Sequence, residues 1–115
     1  KNKKSITVWG TGKASREFVY VRDVAEAIYL ATEKYNKADP INIGTGHEIK
    51  IKDLAYLIAE LIGYGGDLIF DTNKPEGQMR RQLDTTKAKQ IFGFEAKTSL
   101  KEGLEKTIDW YNKNY

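Results

Sequence analysis

The sequence predicts an α/β fold with a few strands and about four helices, and three observations carry that reading. Short runs of β-branched and aromatic residues, ITVW, EFVYV and LIF, alternate with longer stretches of helical periodicity. Ile51, Leu54, Ala55, Ile58 and Ile62 follow the i, i+3, i+4, i+7 spacing of a half-buried helix. Glycine- and proline-marked turns separate the segments, with no repeats or low-complexity tracts between them. The strands are too few to complete a doubly wound sheet, so the chain reads as part of a larger unit.

In chain order, Ile6 to Trp9 reads as a strand ended by Gly10-Thr11-Gly12, and Glu17 to Val21 as a second strand. Asp23 is placed to cap a helix reaching about Tyr35, with Val24, Ala27, Ile28 and Ala31 on one face. Asn36 to Pro40 makes a turn, and Ile41-Asn42-Ile43 reads as a brief buried strand closed by a second glycine turn, Gly44-Thr45-Gly46. The helix from Ile51 to Ile62 meets Gly63 where a C-cap is wanted. After a Gly65-Gly66 turn, Leu68 to Phe70 is a strand that feeds a loop containing Pro75 and Gly77. A short helix runs from Asp84 or Thr85 to about Phe92 and stops at Gly93. Ser99 with Glu102 forms a capping box, and Leu100, Leu104, Ile108 and Tyr111 line one face of the last helix.

With 115 residues, the chain is one domain or part of one. Its formal charge of +3 fits a small anion as readily as a polymer, and a nucleic-acid surface normally shows a stronger, clustered basic patch. The absence of cysteine excludes disulfides, thiolate metal sites and cysteine nucleophiles, and an intracellular, cytoplasmic protein is expected. No apolar run approaches the roughly 18 residues needed to span a bilayer, so no membrane partner is expected. The opening KNKKSITVWG reads as the middle of a protein, with charged turn residues followed at once by a strand.

Two segments carry chemistry. The first, FDTNKPEGQMRRQLD from Phe70 to Asp84, delivers Glu76, Arg80 and Arg81 from a strand into a glycine-containing loop. Guanidinium forks held this way match phosphate oxygens in pairs, and a carboxylate beside them can accept from a sugar or base. Taken alone, two arginines are more readily explained by surface ion pairs, and it is the second segment that reverses this. The second is VWGTG followed by REFVYVRD, which sets Trp9 beside a tight glycine turn and Arg16 at the start of a strand. Trp9 suits stacking over a sugar, or a place in the core. Arg16 suits an anion, or solvent. His47, the only histidine, has no carboxylate or second histidine at ligand spacing and reads as a surface loop residue, so no metal is expected.

These segments together with INIGTG and the ending FGFEAKTSLKEGLEKTIDWY resemble the C-terminal part of extended short-chain dehydrogenase/reductases acting on nucleotide sugars, and within them the GDP-L-fucose synthase family. The resemblance runs from about Ile6 to Tyr111. INIGTG marks only the superfamily, whereas KPEG-x-x-RR-x-LD with VWG-x-G is more specific. It implies a Rossmann-type parent enzyme of which residues 1–115 are the C-terminal, sugar-nucleotide-binding portion. Residues from about 24 to 46 are expected to pack on an N-terminal Rossmann domain outside the chain. The family's substrate contacts fall on Trp9, Arg16 and Glu76, the last an aspartate in many relatives, and its diphosphate-binding basic pair falls on Arg80 and Arg81. The resemblance further implies an NADP-dependent enzyme, a homodimer when full length, that epimerises C3 and C5 of GDP-4-keto-6-deoxy-D-mannose and then reduces its C4 ketone. The family's Tyr-x-x-x-Lys pair is missing: none of the seven tyrosines has lysine four places on. Neither Gly10-x-Gly12 nor Gly44-x-Gly46 continues as a dinucleotide fingerprint, so NADP is expected to bind outside this chain and the chain alone to be inactive. Other nucleotide-sugar epimerases or 4,6-dehydratases, and a stand-alone nucleotide-binding module, are the competing readings.

Overall fold

A computed structural model describes residues 4–115, as four strands and four helices. Strand β1 (Ile6–Trp9) pairs in parallel with β4 (Leu68–Asp71), Ile6 opposite Leu68 and Trp9 opposite Asp71. Strand β2 (Ser15–Glu17) pairs antiparallel with β3 (Glu48–Lys50), Ser15 opposite Lys50 and Glu17 opposite Glu48. On the other edge of β2, Ser15 N–H donates to Met79 O at 2.8 Å, and Ser15 forms a parallel bridge with Arg80. The arginine loop is thus a third, minimal strand beside β2.

The helices are α1 (Val21–Lys34), α2 (Ile51–Ile62), α3 (Thr86–Phe92) and α4 (Leu100–Asn114). Helices α2 and α3 end at Gly63 and Gly93, both in the left-handed conformation that glycine adopts without a Cβ penalty. Ser99 Oγ accepts from Glu102 N–H at 3.2 Å, the capping contact expected at the start of α4. Helix α2 has no side-chain cap. Its first donors are satisfied by the chain before β2 instead: Ile51 N–H donates to Ala14 O at 2.8 Å and Lys52 N–H to Gly12 O at 2.9 Å.

Four expectations are corrected. The second strand covers Ser15–Glu17 rather than Glu17 to Val21, because Phe18, Val19 and Tyr20 turn away to line a groove against α4, and α1 has already begun at Val21. Asp23 lies in the first turn of α1 and does not cap it; its carboxylate is buried and accepts from Thr98 N–H at 3.0 Å and Thr98 Oγ at 3.2 Å, tying α1 to the approach of α4. Ile41-Asn42-Ile43 forms no strand, since no neighbouring backbone pairs with it. Ile41 and Ile43 pack instead around Ala27, Ala88, Phe92 and Phe94, the buried cluster joining α1 to α3. Tyr111 is exposed, whereas Leu104 and Ile108 are half-buried along α4.

Candidate functional site

The first glycine turn, 10–12, is the hub of the site. Gly10 and Gly12 have φ of +89° and +75°, a region that favours glycine, and a Cβ at Gly12 would collide with the Phe70 ring and the Lys52 side chain. The space at Gly10 is filled by Glu76, whose side chain lies where a Cβ would stand. Glu76 Oε1 accepts from Thr11 Oγ at 2.8 Å, and the N–H groups of Thr11 and Gly12 also face the carboxylate. The Thr11 hydroxyl, then those two N–H groups and Lys13, hold the Glu76 carboxyl below the ordinary glutamate value against a smaller opposing effect of burial.

The second glycine turn, 44–46, repeats this device with a different glutamate. Glu17 Oε1 accepts from Thr45 N–H at 2.5 Å and Gly46 N–H at 3.0 Å, while Glu17 Oε2 accepts from Leu83 N–H at 3.1 Å. A Cβ at Gly44 would overlap the same carboxylate. Consecutive backbone N–H groups turned one way form an anion nest. Both nests here are filled by the protein's own carboxylates, which would repel a dinucleotide pyrophosphate. Neither glycine turn is therefore open to a dinucleotide pyrophosphate.

Successive side chains on a strand point to opposite faces, so Ser15 and Glu17 share one face of β2 and Arg16 stands on the other. Arg16 Nη2 donates to Glu76 O at 3.3 Å and Nη1 to Ser15 O at 2.7 Å, joining β2 to the KPEG loop without a carboxylate partner among the described residues. Arg80 lies on the Ser15 face. Its Nε donates to both Glu48 oxygens at 2.9 Å, Nη2 donates to Gln82 Oε1 at 3.0 Å, and Ser15 Oγ donates to Glu48 Oε1 at 3.0 Å. The Arg80 hydrogen bond is the main cause that holds the Glu48 carboxyl below its ordinary value, and the Arg80 guanidinium is correspondingly raised by Glu48.

Arg81 has no carboxylate within ion-pair distance among the described residues; its Nε donates to Gln78 Oε1 at 3.3 Å. Trp9, at the end of β1, is exposed, with Lys74 Nζ 5.5 Å from the ring centroid. His47 is exposed, and no group of three metal-ligating side chains occurs among the described residues. No helix among them is long and apolar enough to cross a membrane.

Of the residues singled out in the sequence, Arg16 and Glu76 meet in the structure, whereas Glu17, Glu48, Thr11 and Gln82, which tie these segments together, were not singled out. The repeated Gly-Thr-Gly and the alternation within Ser15-Arg16-Glu17 were the signals available for them.

Residues 1–44 match the family model of the NAD dependent epimerase/dehydratase family. A probable GDP-L-fucose synthase 1 of Oryza sativa subsp. japonica is 40% identical over 113 residues, covering 98% of this chain and 34% of the rice protein. A GDP-L-fucose synthetase from Naegleria fowleri, solved with NADP bound, superposes with a TM-score of 0.89 at 26% identity over 96% of this chain and 35% of its own. A UDP-glucose 4-epimerase from Thermotoga maritima, solved with UDP-glucose, gives 0.86 at 36% identity over 96% of this chain and 36% of its own. The chain spans about a third of the length of the curated relatives it matches. Over nearly its whole length the chain is thus similar to the C-terminal part of enzymes like the GDP-L-fucose synthases, and its first 44 residues match the NAD dependent epimerase/dehydratase family.

Proposed function

We propose that the chain is the substrate-gripping portion of an NADP-dependent enzyme that 3,5-epimerises and 4-reduces a GDP-4-keto-6-deoxy sugar, and that it is inactive alone. The observation that carries this reading is the meeting of two distant stretches. Arg16 Nη2 reaches Glu76 O at 3.3 Å, and Met79 and Arg80 run alongside Ser15. Arg81 follows the bridged Arg80 directly in this loop, its Nε on Gln78 Oε1. Arg16 and Arg81, both without a carboxylate partner among the described residues, form the diphosphate grip, and Trp9 covers the sugar side. Arg80, paired with Glu48 on the opposite face of β2, contributes the alignment of its neighbour. Glu76, held in the glycine turn, shapes the floor and places the Arg16 acceptor. Binding energy drawn from the nucleoside diphosphate, remote from the reacting ketone, would position that ketone against a hydride donor held by the rest of a longer, dimeric protein. Residues 24–46 pack on that remainder.

In the full-length protein, Arg81→Ala and Arg16→Ala should each weaken GDP binding by about 1.5–3 kcal/mol while NADPH binding is retained. Equal losses for GDP and NADPH would overturn the assignment. A second reading, a nucleotide-sugar 4-epimerase, is favoured by the likeness to the UDP-glucose-bound T. maritima structure. Turnover of UDP-sugars but not of a GDP-4-keto-sugar with NADPH would select it.

A further inference from the structure

We infer that Glu17 is a positioning residue that fixes the backbone of Arg81 by tying the arginine loop to the second glycine turn; this rests on Arg81 gripping the diphosphate, as proposed above. Glu17 accepts from three backbone N–H groups in two segments far apart in sequence, Thr45 and Gly46 on one side and Leu83 on the other. Arg81 lies between two anchors. On its N-terminal side, Met79 O accepts from Ser15 N–H, Arg80 forms the parallel bridge with Ser15, and Glu48 holds the Arg80 guanidinium. On its C-terminal side, Leu83 N–H is bonded to Glu17, and Gln82 Nε2 donates to Gly46 O at 2.6 Å. Both anchors use the Ser15 and Glu17 face of β2, so the face that carries Arg16 stays clear of the tether. A loop ordered before its ligand arrives gives up less conformational freedom on binding. Glu17 thus acts on the ligand only through Arg81.

Glutamine at position 17 keeps the shape but replaces one accepting oxygen with a donor, which then faces either Leu83 N–H or the Thr45 and Gly46 N–H groups. The test uses the full-length protein as wild type, Glu17→Gln, Arg81→Ala and the double variant, with GDP and NADPH titrated separately by calorimetry and thermal melting of each. Glu17→Gln should weaken GDP binding about tenfold, the loss of roughly one charge-assisted hydrogen bond. NADPH affinity should not change, and the effect should vanish in the Arg81→Ala background. Gln82→Ala, an exposed substitution that severs the other half of the C-terminal anchor, should give the same selective and non-additive loss, and it decides the matter should Glu17→Gln not fold. Additive losses, or GDP and NADPH affinities falling together with the melting temperature, would reduce Glu17 to a purely structural role and overturn the inference. Weakened GDP binding in Arg81→Ala with none in Glu17→Gln would overturn the positioning role alone. An Arg81→Ala protein that binds GDP normally would overturn the arginine grip and the inference together.

Discussion

Each of two Gly-Thr-Gly turns in this chain encloses a carboxylate, and the fit decides what glycine does there. At Gly44 the backbone is not in the left-handed region, so the requirement is for space alone: a Cβ would overlap Glu17. Gly44→Ala should displace that carboxylate and leave the Thr45 and Gly46 N–H groups short of a partner, costing about 1–2 kcal/mol in denaturant unfolding. The damage should be nearly absent when Glu17→Ala has already removed the group. The Glu76 nest adds a pH signature. Its carboxyl is lowered from 4.5, chiefly by the Thr11 hydroxyl, so its contribution to stability is present above that value and disappears as the pH falls through the folded-state value. Thr11→Val removes the hydroxyl, and the gap in melting temperature between variant and wild type should be widest near about pH 6 and close toward about pH 3. A gap that stays constant across that range would show that the hydroxyl does not act through the charge of Glu76. Arg16 and Glu76 were singled out in the sequence because each sits near a glycine-marked turn, though their contact with each other was not foreseen. Glu17 and Glu48 were not, because their partners lie 28 to 66 residues away and are mostly backbone N–H groups or an arginine of another segment.

Among elements, those defined by their own ends were readable and those defined by a partner were not. Helices α2, α3 and α4 carry their stop or start signals locally, in Gly63, Gly93 and the Ser99 box, and the sequence placed them within a residue or two. Ser99→Ala should therefore cost about 1 kcal/mol, visible as a lower melting temperature by circular dichroism with the native spectrum unchanged. No change would mean that the Glu102 N–H finds an equal partner in water. Strand propensity misled at Phe18 to Tyr20 and at Ile41 to Ile43, because β-branched and aromatic residues fit any half-buried surface and not only a ladder. The first group faces α4 and the second faces the α1 and α3 cluster. Conversely Glu48–Lys50, polar at both ends, is a strand only because Ser15–Glu17 lies opposite. The groove between Tyr20 and α4 also explains Gly103, where a Cβ would press on the Tyr20 ring.

At the scale of the molecule, the surface is too large for the mass. A compact monomer of 13.1 kDa exposes about 6,400 Å² by the usual scaling, against 8582 Å² here. The radius of gyration is 16.9 Å where a compact chain of 115 residues has about 13 Å, and the extents are 51 × 34 × 19 Å. The excess of about 2,200 Å² is more than one partner contributes to an ordinary protein interface, roughly 800 Å². Part of it is apolar. Val21, Ile28 and Tyr29 on α1 are 62 to 69% exposed although Ala27 beside them is fully buried, and Trp110 and Tyr111 on α4 are more than half exposed. A groove of about 670 Å³ opens between α4 and Phe18 to Arg22. Single exposed apolar residues are normal, but clusters of this extent mark surfaces that something covers. Among the described residues the buried hydrophobic core, by contrast, holds only Ala14, Ala27, Ala88, Phe92 and Phe94, too little to stabilise so open a shape strongly. The chain expressed by itself should therefore self-associate with rising concentration in sedimentation velocity and bind a hydrophobic dye. The full-length protein should do neither through this face. A compact monomer of residues 1–115 with a sharp, high-temperature melt would show that the exposed faces of α1 and α4 need no cover, and would remove the physical reason for placing residues 24–46 against a further domain.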